Sequence, residues 1–352
     1  MSQPPEAPRL PPIRVLVVDD SRIGRHVISD ALATSREIQV IGHASNGEQA
    51  LRMVAELSPD AITLDLEMPK MGGFTFLRLL MSRSPIPVVV LSTQSQTENV
   101  FRALELGALD FIPKPDDVLV AGDALRTELV QKLLLTRYAR ATLRKGLAAW
   151  PSGTATTTSL MSGPPRHVVA VASSTGGPAA LLHIFSRLPA NFPSAILVAQ
   201  HMAATFTRTF AERLDRATTV SVREAVDGDL VTAGRAYVCP GGSCMSLRRE
   251  NGVFRLEVTA PTDEDRYVPS ANRLLSSVAT AAGSKSVGII LTGMADDGVI
   301  GAGAIRRAGG VVLAESEETA VVFGMPGAAA RAGHVQALLP LPDLATRIAT
   351  LS

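Results

Sequence analysis

The stretch "VAVASSTGGPAALLHIF" (residues 169–185) leads from an apolar run through two serines and Gly-Gly-Pro into an apolar pattern with helical spacing. An apolar run bounded by Gly and Pro indicates a buried strand, and the spacing after it indicates a helix. A strand, a corner and a helix in this order form the repeating unit of α/β folds. Three uses of the corner are open: it cradles a phosphate, presents a nucleophilic serine, or only turns the chain.

The same alternation of apolar runs and helical patterns occurs throughout the chain. Five apolar runs come before residue 116, at 13–20, 38–45, 60–69, 87–93 and 108–115. After a helical pattern at 123–150, residues 151–165 are rich in Ser, Thr, Gly and Pro, which indicates a linker, with a surface loop in one large domain as the alternative. Residues 166–349 again show apolar runs followed by helical patterns. Within them, apolar and polar residues alternate on both sides of an Asn-Gly pair at 244–259, a pattern typical of a β-hairpin.

These patterns predict an α/β protein with two domains. We expect a disordered tail at 1–12, a flavodoxin-like domain with a five-stranded parallel sheet at 13–130, and an interdomain helix and linker at 131–165. A doubly wound α/β domain with an inserted β-hairpin is expected at 166–349.

Composition and charge exclude several classes of protein. The 352 residues are 46% hydrophobic and 19% charged with a net charge of +1, which gives no indication of nucleic-acid binding. No apolar run reaches the length of about 18 residues that a membrane-spanning helix needs. The only cysteines, Cys239 and Cys244, lack the partners of a zinc site, so a cytoplasmic, thiol-reduced protein is expected.

Acidic side chains follow the first and third apolar runs. Asp19 and Asp20 end one run and Asp65 lies in the other, and parallel strands bring their carboxyl ends to one edge of the sheet. Adjacent carboxylates repel each other, and a bound Mg²⁺ resolves that conflict. Ser92 and Lys114 end later runs, so a hydroxyl and a cation join the same edge. Asp-Asp alone is more often a capping or turn feature, but the whole set suits a phosphorylated aspartate.

Three polar residues also end runs in the second half: Ser174, His201 and Asp297. A serine exposed at a strand-to-helix corner, a histidine that accepts its proton and a carboxylate that orients the histidine form a hydrolytic triad. Each residue alone has a plainer explanation: a helix cap or phosphate cradle, a structural histidine, and a turn residue. The residues alone leave a hydrolase and a nucleotide-binding unit about equally supported, although neither G-x-G-x-x-G nor G-x-x-x-x-G-K-[ST] occurs in 166–349.

Residues 13 to about 125 resemble a receiver domain of two-component signalling, on the Asp19-Asp20, Asp65, Ser92 and Lys114-Pro115 motifs. The resemblance implies that Asp65 accepts the phosphoryl group, and that Asp19 and Asp20 hold Mg²⁺ together with Asp65 and the backbone carbonyl of Glu67. It further implies that Ser92 and Phe111 are the switch residues and that Lys114 binds the phosphate.

The second half is similar to the catalytic domain of the CheB family of chemotaxis protein-glutamate methylesterases. The similarity rests on "SSTGGP", "AQHM", "YVCPGG", "VGIILTGMADDG" and "VVFGMP". It implies that Ser174 is the nucleophile, His201 the general base and Asp297 the orienting carboxylate. The implied oxyanion donors are the backbone amides of Thr175, Gly176, Gly177 and Met294.

The resemblance also implies substrate, partners and regulation. The substrate is a glutamyl methyl ester on a methyl-accepting chemoreceptor, glutamine side chains are deamidated as well, and ester hydrolysis needs no metal. A chemotaxis histidine kinase is the phosphodonor, and the protein is a cytoplasmic monomer with no nucleic-acid partner. We expect the unphosphorylated receiver to cover Ser174 and phosphorylation of Asp65 to expose it.

Four residues depart from the family's usual pattern. Ala172 and Ser173 stand where Gly-Ala is usual, Ala203 where Pro is usual, and Asp296 where Asn is common. Ser173 also offers a second hydroxyl beside Ser174, although Thr-Gly-Gly favours Ser174 as the nucleophile. The departures leave a second hypothesis open, a non-enzymatic phosphorelay adaptor with a degenerate esterase domain. A DNA-binding response regulator would need a basic helix-turn-helix after the linker, whereas the second half has α/β patterning.

Overall fold

A computed structural model describes residues 11–93, 97–114, 123–144 and 163–351, without the side chains of 124 and 138–144. The chain divides into two compact units, Met1–Lys145 and Gly146–Ser352. Most of the predicted tail, and residues 145–162 of the predicted helix and linker, lie outside the described residues. No helix among the described residues is long and apolar enough to cross a membrane.

The first unit has a five-stranded parallel sheet in the order β2-β1-β3-β4-β5, which confirms the predicted flavodoxin-like order. Its strands are β1 (Ile13–Val18), β2 (Ile38–Ala44), β3 (Ala61–Asp65), β4 (Val88–Thr93) and β5 (Asp110–Lys114). Its helices are α1 (Arg22–Ala33), α2 (Gly47–Leu57), α3 (Gly73–Arg83), α4 (Thr97–Glu105) and α5 (Asp123–Arg144). Each predicted strand and helix is present, and most bounds shift by one to three residues.

Helix α5 runs through the domain boundary predicted at residue 130. Leu129 and Leu133 are fully buried in the core of the first unit, against Ile13, Val15 and other apolar residues. Helix α5 therefore continues past residue 130, and Leu133, beyond that residue, still belongs to the core of the first unit.

The second unit has a seven-stranded parallel sheet in the order β14-β13-β12-β6-β7-β9-β8. The strands of this sheet are β6 (Val168–Ser173), β7 (Ala195–Gln200), β8 (Ser221–Glu224), β9 (Arg235–Val238), β12 (Ser286–Ile290), β13 (Val311–Glu315) and β14 (Ala337–Leu339). The helices are α6 (Gly177–Phe185), α7 (Ala204–Ala217), α8 (Ala271–Ala282), α9 (Val299–Arg307), α10 (Gly324–Arg331) and α11 (Leu341–Ala349).

The predicted β-hairpin at 244–259 is confirmed. It consists of β10 (Cys244–Glu250) and β11 (Val253–Thr259), paired in antiparallel register around Asn251 and Gly252. Both turn residues have positive φ, 49° and 83°, as the tightest hairpin turn requires. Met245, Leu247 and Leu256 pack from this hairpin into the core of the second unit.

The strand order indicates at which edge of the second sheet a binding site is expected. From β6 the chain proceeds to β7 on one side and later returns to β12 on the other, so the direction of winding changes between β6 and β12. Ligands of open α/β sheets bind at the carboxyl ends of the strands beside such a change. Ser174 follows β6, His201 follows β7 and Asp297 follows β12, so all three residues lie at this edge.

Candidate active site

The first unit brings its predicted acidic residues together. Ligand oxygens of Asp19, Asp20 and Asp65 all lie within 4.8 Å of one another. Lys114 Nζ donates to Asp19 Oδ2 at 2.8 Å and to Asp65 Oδ2 at 2.5 Å. Burial alone would lower the pKa of Lys114, but the charges of Asp65 and Asp19 outweigh it, so the net pKa is raised. The lysine is therefore held as a cation beside the predicted phosphoacceptor.

The donor set in this pocket suits Mg²⁺. Asp19 is fully buried, and burial raises its pKa despite the partly compensating charge of Lys114. Lys114 supplies one positive charge against three carboxylates, so the cluster retains negative charge that a hard cation with oxygen ligands would balance. Glu67 lies two residues after the last residue of β3, and its amide donates to Asp65 Oδ1 at 3.1 Å, which orients the acceptor carboxylate.

The two predicted switch residues are both buried in the first unit. Ser92 is the penultimate residue of β4, and 1% of its surface is exposed. Phe111 packs edge-to-face against Phe101, with ring centroids 6.2 Å apart, and Lys132 Nζ lies 5.4 Å from its ring centroid. Ser92 lies near the carboxyl end of β4, and Phe111 lies near the start of the neighbouring strand β5.

In the second unit, the corner after β6 is shaped by close backbone approaches. Ser174 N–H donates to the Thr292 carbonyl at 3.1 Å, which ties the corner to the chain after β12. Gly176 has φ of 79°, which favours glycine, and a Cβ there would collide with Val321. A Cβ at Gly293 would lie 2.8 Å from the Cβ of Ser174, so glycine is required at the opposite wall as well.

Ser173 is not the exposed hydroxyl. It is fully buried, and its Oγ donates to Gln200 Oε1 at 2.7 Å. The Gln200 amide nitrogen donates to the carbonyls of Ser174 at 2.9 Å and His201 at 3.0 Å. Ser173 therefore sets the orientation of a buried amide that links the two corners carrying the predicted nucleophile and base. Ser174 is only half-buried, which favours it over Ser173 as the nucleophile.

His201 and Asp297 form a direct contact across the edge of the sheet. His201 Nε2 lies 2.8 Å from Asp297 Oδ2, and Asp297 is fully buried. The carboxylate also accepts the backbone N–H of Ala271 at 2.8 Å and of Asn272 at 2.9 Å. These donors lie in the first turn of α8, where the helix dipole favours a negative charge. Nε2 is therefore the ring nitrogen that donates to the carboxylate, and Nδ1 is left to accept a proton.

Asn272 stabilises the same loop from the other side. Its Oδ1 accepts the N–H groups of Gly298, Ile300 and Gly301, at 3.0, 2.9 and 3.1 Å, and thereby caps α9. Asp297 lies just before α9 and caps α8, whereas Asn272 lies at the start of α8 and caps α9. The two helix starts therefore cap each other. This arrangement fixes the position of the histidine's carboxylate partner.

The serine and histidine are adjacent through the backbone. His201 N–H donates to the Ser173 carbonyl at 3.0 Å, so the two corners lie side by side. Within the described part of the chain, Ser174 Oγ has no hydrogen-bond partner, and the serine-to-histidine contact of the predicted triad is not formed. Such contacts often tighten only when substrate is bound.

The four predicted oxyanion donors differ in their hydrogen bonds. Gly177 N–H already donates to the Ser174 carbonyl at 2.8 Å, and it therefore stabilises the corner and cannot serve as an oxyanion donor. For the amides of Thr175, Gly176 and Met294, no acceptor is present among the described residues. These three remain the predicted donors.

Two of the departures from the family pattern are accommodated without distortion. Ala203 has φ of −66°, the value that a proline would impose, and it precedes α7 directly. Ala172 is fully buried in β6, and its carbonyl accepts the N–H of Leu291 at 2.9 Å. Ala203 thus has a backbone conformation that a proline could adopt, and Ala172 is part of the regular hydrogen bonding at the end of β6.

Comparisons with known proteins agree with this geometry. A family described as CheB methylesterase matches residues 169–348, and the response regulator receiver domain matches residues 15–121. A protein-glutamate methylesterase/protein-glutamine glutaminase of Myxococcus xanthus is 46% identical over 341 residues, 97% of each chain. One of Anaeromyxobacter dehalogenans is 48% identical over 96% of this chain and 95% of its own. The solved Thermotoga maritima CheB methylesterase catalytic domain is 37% identical, with a TM-score of 0.52, and covers 55% of this chain and 100% of its own.

A receiver-type acidic pocket and a serine, histidine and aspartate at one edge of a parallel sheet define a response regulator joined to a hydrolase-type domain. The family model and the relatives identify one family within this class. The chain belongs to the CheB methylesterase family.

Proposed function

We propose that the chain is a protein-glutamate methylesterase, regulated by phosphorylation, that also deamidates glutamine side chains. The observation that carries the proposal is the His201–Asp297 pair at 2.8 Å, placed beside the Ser174 corner at the change of winding of the sheet. The hypothesis of a non-enzymatic adaptor gains no support, because the histidine and carboxylate are paired and the serine is accessible.

The chain's own groups account for each proton transfer in the reaction. Ser174 Oγ attacks the ester carbonyl while His201 Nδ1 accepts its proton, and Asp297 stabilises the resulting imidazolium through Nε2–H. The amides of Thr175, Gly176 and Met294 stabilise the oxyanion. Collapse of the tetrahedral intermediate releases methanol, which takes its proton from His201. Water then attacks the acyl-enzyme with His201 as the base, yielding glutamate and free Ser174. A glutamine amide follows the same steps and releases ammonia.

The proposed substrate is a methyl-accepting chemoreceptor's cytoplasmic domain, and the proposed phosphodonor is a chemotaxis histidine kinase. Asp65 accepts the phosphoryl group. Asp19, Asp20, Asp65 and the Glu67 carbonyl would hold Mg²⁺, which would supply positive charge against the phosphate. Lys114 and Ser92 bind the phosphate, and Phe111 takes part in the switch. We place the protein in the cytoplasm as a monomer.

The test measures methanol released from a chemoreceptor whose glutamates carry radiolabelled methyl esters. Wild type is expected to release methanol faster after incubation with acetyl phosphate and Mg²⁺, and Asp65→Asn is expected to lose this increase while keeping the basal rate. Ser174→Ala is expected to abolish release. Full activity in Ser174→Ala would refute the assignment of the nucleophile, and equal stimulation of Asp65→Asn would refute that of the phosphoacceptor.

A further inference from the structure

Tyr267 lies on the loop between the hairpin and α8 and covers one face of the predicted general base. Its ring is stacked on the imidazole of His201, with centroids 5.6 Å apart and an angle of 16° between the planes. Asp297 holds the histidine through Nε2 alone, and one hydrogen bond does not prevent the ring from tilting out of plane. A stacked neighbour restricts that tilt.

Tyr267 is itself anchored to the loop that carries the histidine's partner. Its hydroxyl donates to Asp296 Oδ1 at 2.9 Å, and Arg266 Nη1 lies 3.6 Å from the same oxygen. Burial and the hydrogen bond to Asp296 raise the pKa of Tyr267, so the hydroxyl keeps its proton and remains the donor. Asp296, which departs from the family's usual Asn, therefore has two partners of its own.

The loop bearing Tyr267 is also fixed at its base. Asp265 Oδ2 accepts from Arg273 Nη2 at 2.5 Å and from the Thr262 amide at 2.8 Å. Arg273 Nη1 additionally donates to Thr259 Oγ1 at 2.9 Å. The tyrosine thus projects from a loop that is tied to α8, the helix whose first turn binds Asp297.

We propose that Tyr267 is a positioning residue for His201, held in place by the carboxylate of Asp296. The inference rests on the proposed function of His201 as the general base. Tyr267 keeps the imidazole in the plane in which Nε2 faces Asp297, so that Nδ1 is left to accept the serine proton. Asp296 holds the Tyr267 hydroxyl and immediately precedes Asp297, which holds the histidine. The histidine is thus oriented by Asp297 at the edge of its ring and by Tyr267 at the face of its ring. The electron-rich face also favours the imidazolium that forms during the reaction.

The test uses a fluorophosphonate probe, which reacts with an activated serine whatever the natural substrate is. The full-length chain is compared as wild type, Tyr267→Leu, Tyr267→Phe and Ser174→Ala, by the maximal labelling rate and the concentration for half-maximal rate. Aromatic pairs contribute about 0.5–1.5 kcal/mol. We therefore expect Tyr267→Leu to lower the maximal rate about 3- to 10-fold, with the half-maximal concentration unchanged. Tyr267→Phe, which keeps the ring, is expected to restore the rate to within about 2-fold of wild type.

Asp296→Ala, which removes the acceptor of the Tyr267 hydroxyl, provides the coupling test: any decrease in Tyr267→Phe, at most about 2-fold, should not add to the decrease in Asp296→Ala in the double variant. Tyr237→Phe removes a phenol hydroxyl that donates to the Leu230 carbonyl at 2.6 Å, and it is the matched control expected to label at the wild-type rate. The proposal would be overturned if Tyr267→Leu labelled at the wild-type rate or changed only the half-maximal concentration. It would also be overturned if Tyr267→Phe and Tyr267→Leu lost the same amount of activity. So would labelling of wild type that does not depend on Ser174. Wild type that labels at Ser174 but releases no methanol would instead refute only the proposed substrate.

Discussion

Glu315 is a fully buried carboxyl group at the end of β13, and its replacement by glutamine is expected to stabilise the second unit at alkaline pH. Its Oε2 accepts the N–H of Thr292 at 2.9 Å, and Thr292 in turn accepts the N–H of Ser174. Burial raises the pKa of Glu315 from 4.5 to about 7, against the opposing effects of its hydrogen bonds to Thr292 and Thr319. The residue therefore titrates near neutrality next to the serine corner.

The sign of the effect follows from the raised pKa of Glu315. Below pH 4.5 the carboxyl is protonated in the folded and the unfolded chain, and its ionisation costs no stability. As the pH rises to 7, the unfolded chain releases this proton while the folded chain retains it, so the free energy of unfolding falls. The difference between about 7 and 4.5, at about 1.4 kcal/mol for each pH unit, amounts to about 3.5 kcal/mol at most.

The assay is urea unfolding of the fragment 163–352, followed by circular dichroism between pH 5 and pH 8.5. A fragment is suitable because a related catalytic domain forms a whole chain in a solved structure. The free energy of unfolding of Glu315→Gln minus that of wild type is expected to grow by about 2.5 kcal/mol over this range, because part of the effect is already present at pH 5. Glu317→Gln, a matched change at an exposed position two residues further on, should leave the difference constant. A constant difference for Glu315→Gln would refute the reasoning.

Three further expectations concern single contacts. Ser173→Ala leaves the buried Gln200 Oε1 without its donor and should lower the rate of methanol release about 3- to 10-fold, whereas full activity would show that the amide is held without Ser173. Asn272→Ala removes the acceptor of three amides at the start of α9, and urea unfolding of 163–352 should show a loss of about 1–2 kcal/mol. Chelation of Mg²⁺ should abolish labelling of Asp65 by radioactive acetyl phosphate without changing basal methanol release, and labelling that persists would contradict a metal requirement.

The long apolar runs allowed most of the fold to be predicted from the sequence. Buried parallel strands are apolar on both faces, so β6, β7, β12 and β13 were recognisable from their composition alone. The strands β8 and β14 were missed. They are four and three residues long and lie at the two edges of the sheet, where exposed faces remove the apolar signal.

The site residues that could be predicted all lie at the ends of recognisable strands, whereas the contacts of Gln200 and Tyr267 have no such sequence pattern. Ser174, His201 and Asp297 each follow a recognisable strand, so their convergence could be inferred from topology. Gln200 precedes His201 directly, but only the contact with Ser173 shows that its side chain turns inward. Tyr267 lies on a loop far from any predicted strand end, and its stacking on His201 depends on the tertiary position of that loop.

The two units use the same edge of an α/β sheet for different chemistry, because their buried carboxylates are stabilised differently. Asp19 lies beside Asp65 and Asp20, with Lys114 as a partial counterion, so the first pocket retains a demand for positive charge that suits Mg²⁺ and a phosphoryl group. Asp297 is equally buried, but two amides at the start of α8 and the imidazole of His201 satisfy its oxygens. These contacts occupy both oxygens of Asp297, whose proposed role is to stabilise the imidazolium of His201. The difference lies in the neighbours: like charges converge in one unit, and a helix N-terminus and a histidine converge in the other.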